Sequence, residues 1–233
     1  MPKKKKSSKS KKPYNKGDAY EDKIFRIMEM HNITPKGSRR AGAGTGTDCI
    51  FITQGKEYNL EIKKDLKADY GQKTFHWSNE MGWSWSIKDD LTDFFDKFHV
   101  IELLNKKNIS PNKFTKLKEV LTLEDKKSDQ TLFEDRTLRV PAESLFNFYK
   151  RKGCSYLQVG EGFGFYNLGD DPANLGVPEF HSDFMLRLRA KTIRSLPIWN
   201  YTFYAVLKVV GKPEKSTYNL EESKAQPFPK IKP

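Results

Sequence analysis

The chain has 233 residues, of which 36% are hydrophobic and 31% are charged, and its formal net charge is +12. This length suits one domain with a buried core, and the apolar content excludes a chain that is disordered throughout. No apolar run is long enough to cross a bilayer, and no apolar stretch follows the charged start as in a secretory signal, so we expect neither a membrane protein nor a secreted one.

The positive charge is concentrated at the N-terminus. Residues 1–16 contain eight lysines and no acidic residue, whereas the remaining chain has 34 basic and 30 acidic residues. We expect a disordered basic tail over 1–16, because this segment has little to bury. Such a tail attracts nucleic acid and resembles a nuclear localisation signal, and a solubilising arm is the alternative.

The cysteines indicate a reducing compartment. Cys49 and Cys154 are far apart in the chain and form no CxxC pair. We therefore expect an intracellular protein, located in the nucleus if the host is eukaryotic and otherwise in the cytoplasm or nucleoid.

The first part of the chain predicts a helix followed by a β-hairpin. Apolar residues recur at helical spacing over 17–32. Residues 35–47 are rich in Gly, Arg and Thr, which predicts a mobile loop. Two short β-runs at 49–53 and 57–63 flank Gln54-Gly55, which is a hairpin signal.

The rest of the chain predicts a helical middle and a strand-rich end. Residues 65–85 have an irregular pattern. Helices are expected at 88–107, where the amphipathic pattern is longest, at 113–123 and at 142–152. Four strands are expected after Gly153, at 156–159, 163–168, 184–191 and 201–210.

This order of elements predicts an α/β or α+β fold. We expect a disordered tail over 1–16, a domain over 17–211 and a C-terminal tail over 212–233. The domain divides into a core at 17–90, a helical middle at 88–152 and a β-rich half at 153–211.

The hairpin brings acidic residues together. Counting back from a two-residue turn at Gln54-Gly55 places Asp48 directly opposite Glu61. The hydrophobic pattern supports this register, because the apolar residues then share one face: Cys49, Phe51, Tyr58, Leu60 and Ile62.

The polar face of this hairpin predicts a metal site. Two carboxylates opposite each other on paired strands repel, and a folded protein keeps them when a positive group lies between. Mg²⁺ is the natural candidate, because it takes hard oxygen ligands. Lys63 lies on the same face as Glu61 and could orient the attacking water or stabilise charge on a phosphate. A solvated face neutralised by Lys63 is the alternative.

These residues resemble the PD-(D/E)XK nuclease superfamily. The matching residues are Thr47-Asp48 and Glu61-Ile62-Lys63, and the resemblance covers 17–77. It implies a restriction-endonuclease-like mixed sheet flanked by helices, here with a helical insertion and a C-terminal β-rich part. It also implies Mg²⁺-dependent hydrolysis of DNA, with Mn²⁺ as a substitute, and often a homodimer.

The resemblance also implies roles for individual residues. Asp48, Glu61 and the backbone carbonyl of Ile62 would be metal ligands, and Lys63 would be the catalytic lysine. Glu21 matches the acid that many members carry on the helix before the hairpin, with Asp18 and Asp22 as rivals. Gln72 is similar to a glutamine that some members place after the lysine, although His76 stands where a tyrosine follows in some families.

Basic residues elsewhere are candidates for DNA binding. Arg39 and Arg40 precede the hairpin, and Lys64, Lys67 and Lys73 follow it. Three more, Arg187, Arg189 and Lys191, alternate along a predicted strand and would share one face. Ordinary surface charge is the alternative for each group.

We predict a metal-dependent deoxyribonuclease, a phosphodiester hydrolase that acts as a restriction-type or structure-specific endonuclease. Two alternatives stay open. One is an exonuclease of the same fold. The other is a non-catalytic nucleic-acid-binding protein that uses the basic tail and the Arg/Lys strand.

Overall fold

The computed structural model describes residues 16–35, 37, 47–134, 137–192 and 197–222. The helices are α1 (Lys16–Met30), α2 (Asp90–Asp96), α3 (Val100–Lys106), α4 (Asn112–Thr115), α5 (Leu123–Glu134) and α6 (Ala142–Arg151), with a 3₁₀ turn at Lys118–Val120. The strands are β1 (Cys49–Thr53), β2 (Lys56–Lys63), β3 (Gly71–Ser78), β4 (Gly82–Trp85), β5 (Thr137–Val140), β6 (Cys154–Val159), β7 (Gly164–Asn167), β8 (Asp183–Thr192) and β9 (Tyr201–Val210). The predicted tail over 1–16 lies outside the described residues except for Lys16, as does most of the predicted loop over 35–47.

The strands form two sheets. The first has the order β1-β2-β6-β7 and is mixed, because β2 and β6 are parallel while both outer pairs are antiparallel. The second has the order β4-β3-β9-β8-β5 and is antiparallel throughout. The α+β class is thereby confirmed, with two sheets among the described residues.

Two hydrophobic clusters hold these layers together. The smaller one packs α1 against the first sheet through Ile24, Met28, Phe51 and Leu60, all fully buried. The larger one joins the opposite face of β6 and β7 to the second sheet and to α2, α3 and α6. The first sheet is therefore covered on both faces at β6 and β7.

The predicted helix over 88–107 is wrong as a single element. It is two short helices, α2 and α3, separated by His99, whose φ of 54° ends helical geometry. Asp89 begins α2 with a capping box that includes Thr92. The break lets Phe94 and Phe95 of α2 and Leu104 of α3 all reach the core, which one straight helix cannot achieve over this core surface.

Residues 65–85, expected to be irregular, contain β3 and β4. Aromatic packing in the second sheet stabilises them, since the rings of Phe75, Trp83 and Phe203 meet at centroid distances of 5.1–6.2 Å. The structure also has a strand, β5, and a helix, α5, that the sequence pattern did not predict.

The predicted tail beyond residue 211 begins too early. Residues up to Glu222 pack along β7, where the N–H of Phe165 donates to the Tyr218 carbonyl and the N–H of Ser216 donates to the Phe163 carbonyl. Leu220 is fully buried in the smaller cluster. An apolar anchor and backbone pairing therefore tie 212–222 to the domain.

No helix in the described ranges has the length and apolar character needed to traverse a membrane.

Candidate active site

A polar pocket of about 480 Å³ lies where β2 ends, between the start of α1 and the loop after Lys63. We call it the carboxylate pocket. Its walls come from α1, from the end of β2 and from the following loop: Lys16, Gly17, Glu21, Ile62, Lys63, Lys64, Asp65, Lys67, Ala68 and Asp69. Three of the residues predicted to be catalytic or metal-binding therefore line one concave surface, namely Glu21, Ile62 and Lys63.

The hairpin register agrees with the prediction along the whole of β1. Thr53 pairs with Lys56, Ile50 with Asn59 and Cys49 with Leu60. The ladder ends there, and Asp48 stands just before β1. Its carboxylate accepts a hydrogen bond from the backbone N–H of Ile62 at 2.7 Å, which continues the pairing through a side chain.

Glu61 and Lys63 form an ion pair on the face opposite the α1 helix. The Lys63 Nζ lies 2.5 Å from Glu61 Oε1, and the two side chains are only 15% and 13% exposed. The Tyr149 hydroxyl lies 3.4 Å from the same Glu61 oxygen and donates to the Tyr70 carbonyl at 3.0 Å. The Glu61 carboxylate is thus largely shielded from solvent, with Lys63 as the cation beside it.

Asp48 is buried beside other carboxylates. Burial and the neighbouring charge of Glu61 raise the pKa of Asp48 to about 7, although Lys63 and the Ile62 N–H act in the opposite direction. Glu21 adds to the increase. The positive charge of Lys63 therefore does not fully offset burial and the negative charge of the carboxylates. A further cation bound at the site would lower the pKa of Asp48.

The same charges keep Lys63 protonated. Burial acts to lower the pKa of Lys63, but the carboxylates of Glu61 and Asp48 outweigh it and hold that pKa above its ordinary value. A lysine in this state donates hydrogen bonds and stabilises negative charge, and it cannot accept a proton from water near neutral pH.

A close approach of the chain supports the end of β2. The N–H of Gly160 donates to the Lys63 carbonyl at 2.9 Å. A Cβ atom at Gly160 would lie 2.2 Å from the Lys64 carbonyl oxygen and 2.8 Å from the Tyr20 ring, so glycine is required there. The glycine-marked turn between β6 and β7 therefore has a structural role beside the pocket.

The donor set suits a hard divalent cation. Asp48 and Glu61 offer carboxylate oxygens beside the carboxylate pocket, although neither is among the residues that line it, and Ile62 is one of the lining residues. Mg²⁺ is commonly held by one or two carboxylates, with water or phosphate completing its shell. Within the described ranges no group of three or more His, Cys, Asp or Glu side chains is arranged to hold a metal.

Gln72 occupies a different place from its predicted one. It lies on β3 of the second sheet, where it pairs with Val206 of β9, and it does not line the carboxylate pocket. An aromatic ring close to Lys63 is that of Tyr70, whose centroid lies 5.9 Å from the Lys63 Nζ. This placement gives the predicted catalytic role of Gln72 no support.

The predicted DNA-binding lysines separate into two groups. Lys64 and Lys67 line the carboxylate pocket. Lys73 instead forms an ion pair with Asp89, the residue that caps α2, which ties its ammonium to the fold. Arg39 and Arg40 lie outside the described residues.

The arginines of β8 face a second, larger cavity of about 780 Å³. We call it the basic groove. Its walls come from β8, β9 and the loops beside them: Leu66, Lys67, Glu161, Phe163, Met185, Arg187, Arg189, Lys208, Val209, Val210, Gly211 and Lys212. Lys191 is exposed farther along the same face of β8 and does not line the groove.

Two tyrosines at the site escaped the sequence analysis. Tyr149 comes from α6 and Tyr70 from the segment before β3, far from the hairpin in the chain. Neither tyrosine belongs to a motif, and the sequence pattern predicts only that a tyrosine on an amphipathic helix packs in the hydrophobic core. Only the packing of α6 against the first sheet brings Tyr149 to Glu61.

Comparison with protein-family models, with curated proteins and with solved structures produced no match to this chain.

Proposed function

We propose that the protein is a Mg²⁺-dependent DNA endonuclease of restriction-endonuclease-like fold, with Asp48, Glu61 and Lys63 at its centre. The observation that carries the proposal is the grouping of three charged residues at the end of β2: Lys63 pairs with Glu61, and Asp48 is held by the Ile62 N–H close enough for its charge to act on Lys63. Burial and the neighbouring charge of Glu61 raise the pKa of Asp48 to about 7, and strongly shifted pKa values of this kind are typical of functional sites.

Asp48 and Glu61 would hold the metal, with the Ile62 carbonyl as a further ligand. When bound, Mg²⁺ supplies Lewis acidity that makes water a better nucleophile and withdraws charge from the scissile phosphate. Asp48 must lose its proton to bind the ion. The N–H of Ile62 orients its carboxylate for this purpose.

Lys63 contributes positive charge to the reaction. Because its pKa is raised, its ammonium stays protonated and can donate to a phosphate oxygen as negative charge develops there. The Glu61–Lys63 pair keeps this ammonium in place before substrate arrives. Glu21 lines the pocket and would orient a water molecule or a further ligand.

The test is cleavage of supercoiled plasmid with and without Mg²⁺ by the wild-type, Glu61→Gln and Lys63→Met proteins. We expect nicking or linearisation that requires Mg²⁺ and that either substitution reduces by at least about a hundredfold. The Lys73→Met protein is the control. Lys73 is paired with Asp89 away from the pocket, so this variant should cleave normally. Mg²⁺-dependent cleavage that survives Glu61→Gln would place the centre elsewhere.

A non-catalytic nucleic-acid-binding protein is the second candidate. The basic groove favours it, because this surface needs no metal to attract a polyanion. Tight DNA binding that is unaffected by Mg²⁺, together with intact plasmid, junction and single-stranded substrates, would favour this function over the nuclease.

A further inference from the structure

The basic groove carries a strong excess of positive charge. Its described lining contains five cationic side chains and one acidic side chain: Lys67, Arg187, Arg189, Lys208 and Lys212 against Glu161. The chain after residue 16 has only a small net charge, so these cations are concentrated on one surface. Clustered cations repel one another, and an anionic ligand relieves that repulsion.

Most of these cations are available to a ligand. Among the described residues, no carboxylate forms an ion pair with Lys67, Arg187 or Arg189. Arg139, on the neighbouring strand β5, is instead paired with Asp183 at 3.0 Å. Lys208 pairs with Asp69, so it supports the loop beside the groove. The two guanidinium groups of β8 therefore face the groove with no ion-pair partner in the part of the chain that the structure describes, and such groups bind phosphate through paired N–H donors.

The groove and the carboxylate pocket are neighbours. Lys67 lines both cavities, and the Lys67 carbonyl accepts a hydrogen bond from the Lys208 ammonium at the wall of the groove. One loop thus separates the two sites and contributes a cation to each. A long polyanion bound in the groove would have to pass over this loop to reach the carboxylate pocket.

The lining favours a duplex over a single strand. Proteins that bind single strands stack bases on exposed aromatic rings. The aromatic residue in the described lining is Phe163, and it is only 8% exposed. Contacts from arginine and lysine to phosphate, without a stacking platform, are typical of binding to the backbone of a duplex.

We infer that the basic groove binds the phosphate backbone of duplex DNA and directs the duplex to the carboxylate pocket, with Arg187 and Arg189 as its principal contacts. This inference deepens the proposed nuclease function and depends on it for the identity of the nucleic acid.

The test measures binding without cleavage. A fluorescent duplex oligonucleotide is titrated with the Glu61→Gln protein in EDTA, across a series of salt concentrations, with and without the added pair Arg187→Ala and Arg189→Ala. We expect the pair to weaken binding at least about tenfold at 0.1 M salt and to reduce the slope of log K against log salt by about 2. Circular dichroism and thermal unfolding check that the variant folds.

The matched control removes the same charge elsewhere. Lys106 and Lys107 are exposed near the end of α3 and line neither the groove nor the carboxylate pocket. The Lys106→Ala and Lys107→Ala pair should leave the affinity within about twofold. An equal loss in this control would mean that net charge, and not the groove, drives binding, and would overturn the inference.

Two further outcomes are decisive. Unchanged duplex binding by the Arg187 and Arg189 variant overturns the inference, while plasmid cleavage by the wild type would leave the nuclease proposal standing. The same titration is made with a single-stranded oligonucleotide, and binding tighter than that of the duplex overturns the assignment to a duplex. Loss of duplex binding in the Arg187 and Arg189 variant, with no cleavage by the wild type, would support DNA binding by the basic groove and contradict the proposed nuclease activity.

Discussion

The carboxylate of Asp48 accepts a 2.7 Å hydrogen bond from the backbone N–H of Ile62, so a residue outside β1 adds one more link to the β1–β2 hairpin. This contact places Asp48 close enough to Glu61 for their charges to interact, while Lys63 is the cation paired with Glu61. The consequences of this charge imbalance can be measured in the absence of metal.

Asp48→Asn should stabilise the metal-free protein at pH 8. Because the pKa of Asp48 is raised to about 7 in the folded state, the native protein holds a proton that the unfolded chain releases near pH 4. Wild-type stability therefore falls as the pH rises from about 4 to about 7. Asparagine removes the charge and keeps an oxygen for the Ile62 N–H, so we expect a gain of at most about 4 kcal/mol in the free energy of unfolding.

Urea unfolding in EDTA at pH 4.5 and pH 8 measures this effect, which should be small at the lower pH. Asp93→Asn, at an exposed position of α2, is the control and should change stability by less than about 0.5 kcal/mol. A destabilising Asp48→Asn at pH 8 would show that the charge on Asp48 is already compensated.

Lys63→Met should destabilise the protein more than Glu61→Gln does. Removing the lysine leaves two carboxylates in a poorly solvated site, at a cost of about 3–5 kcal/mol, whereas removing Glu61 leaves Lys63 beside Asp48. The double variant should recover part of the loss. A double-mutant cycle by chemical denaturation measures the coupling.

The exposed pair Lys23–Glu221 provides the comparison for this cycle. Its N···O distance is also 2.5 Å, but the Lys23 side chain is 54% exposed. We expect its coupling energy to be no more than about 1 kcal/mol. Equal coupling in the two pairs would mean that the Glu61–Lys63 pair is as well solvated as a surface pair.

Tyr149→Phe should lower the stability of the protein, whereas Tyr70→Phe should not. The Tyr149 hydroxyl satisfies the Tyr70 carbonyl and lies near Glu61, so its removal should cost about 1–3 kcal/mol and raise the Mg²⁺ concentration needed for cleavage. The buried Tyr70 hydroxyl has no hydrogen-bond partner among the described residues, so Tyr70→Phe should be neutral or stabilising. Thermal unfolding and a Mg²⁺ titration of activity test the pair, and a destabilising Tyr70→Phe would contradict the structure.

Leu220→Ala should lower the free energy of unfolding by about 2–5 kcal/mol. Leu220 is fully buried against α1 and the first sheet, and truncation leaves a cavity in the smaller cluster. Leu123 is 66% exposed and is the matched control, with an expected change below about 0.5 kcal/mol. If both leucines tolerate alanine equally, residues 212–222 do not contribute to the core.

The local elements of the carboxylate site could be read from the chain. The helix at 17–32 corresponds to α1, and the hairpin register over Cys49–Thr53 and its partners is confirmed. Both depend on interactions between residues close in sequence, namely helical periodicity and a two-residue turn. The same reasoning failed for 88–107, because a break at His99 depends on which core surface the two halves must cover.

The sequence by itself determined that Asp48, Glu61 and Lys63 share one end of a hairpin, because alternation along β-strands and the Gln54-Gly55 turn leave little choice of register. Only the tertiary structure decided how strongly these charges interact. Packing of α6 brings Tyr149 to Glu61 from 88 positions away in the chain. Burial of Asp48 in the folded domain, together with the charge of Glu61, raises the pKa of Asp48 to about 7. The same is true of the basic groove, where strands β8 and β9 meet a loop from the first half of the chain, a long-range contact that no local pattern encodes.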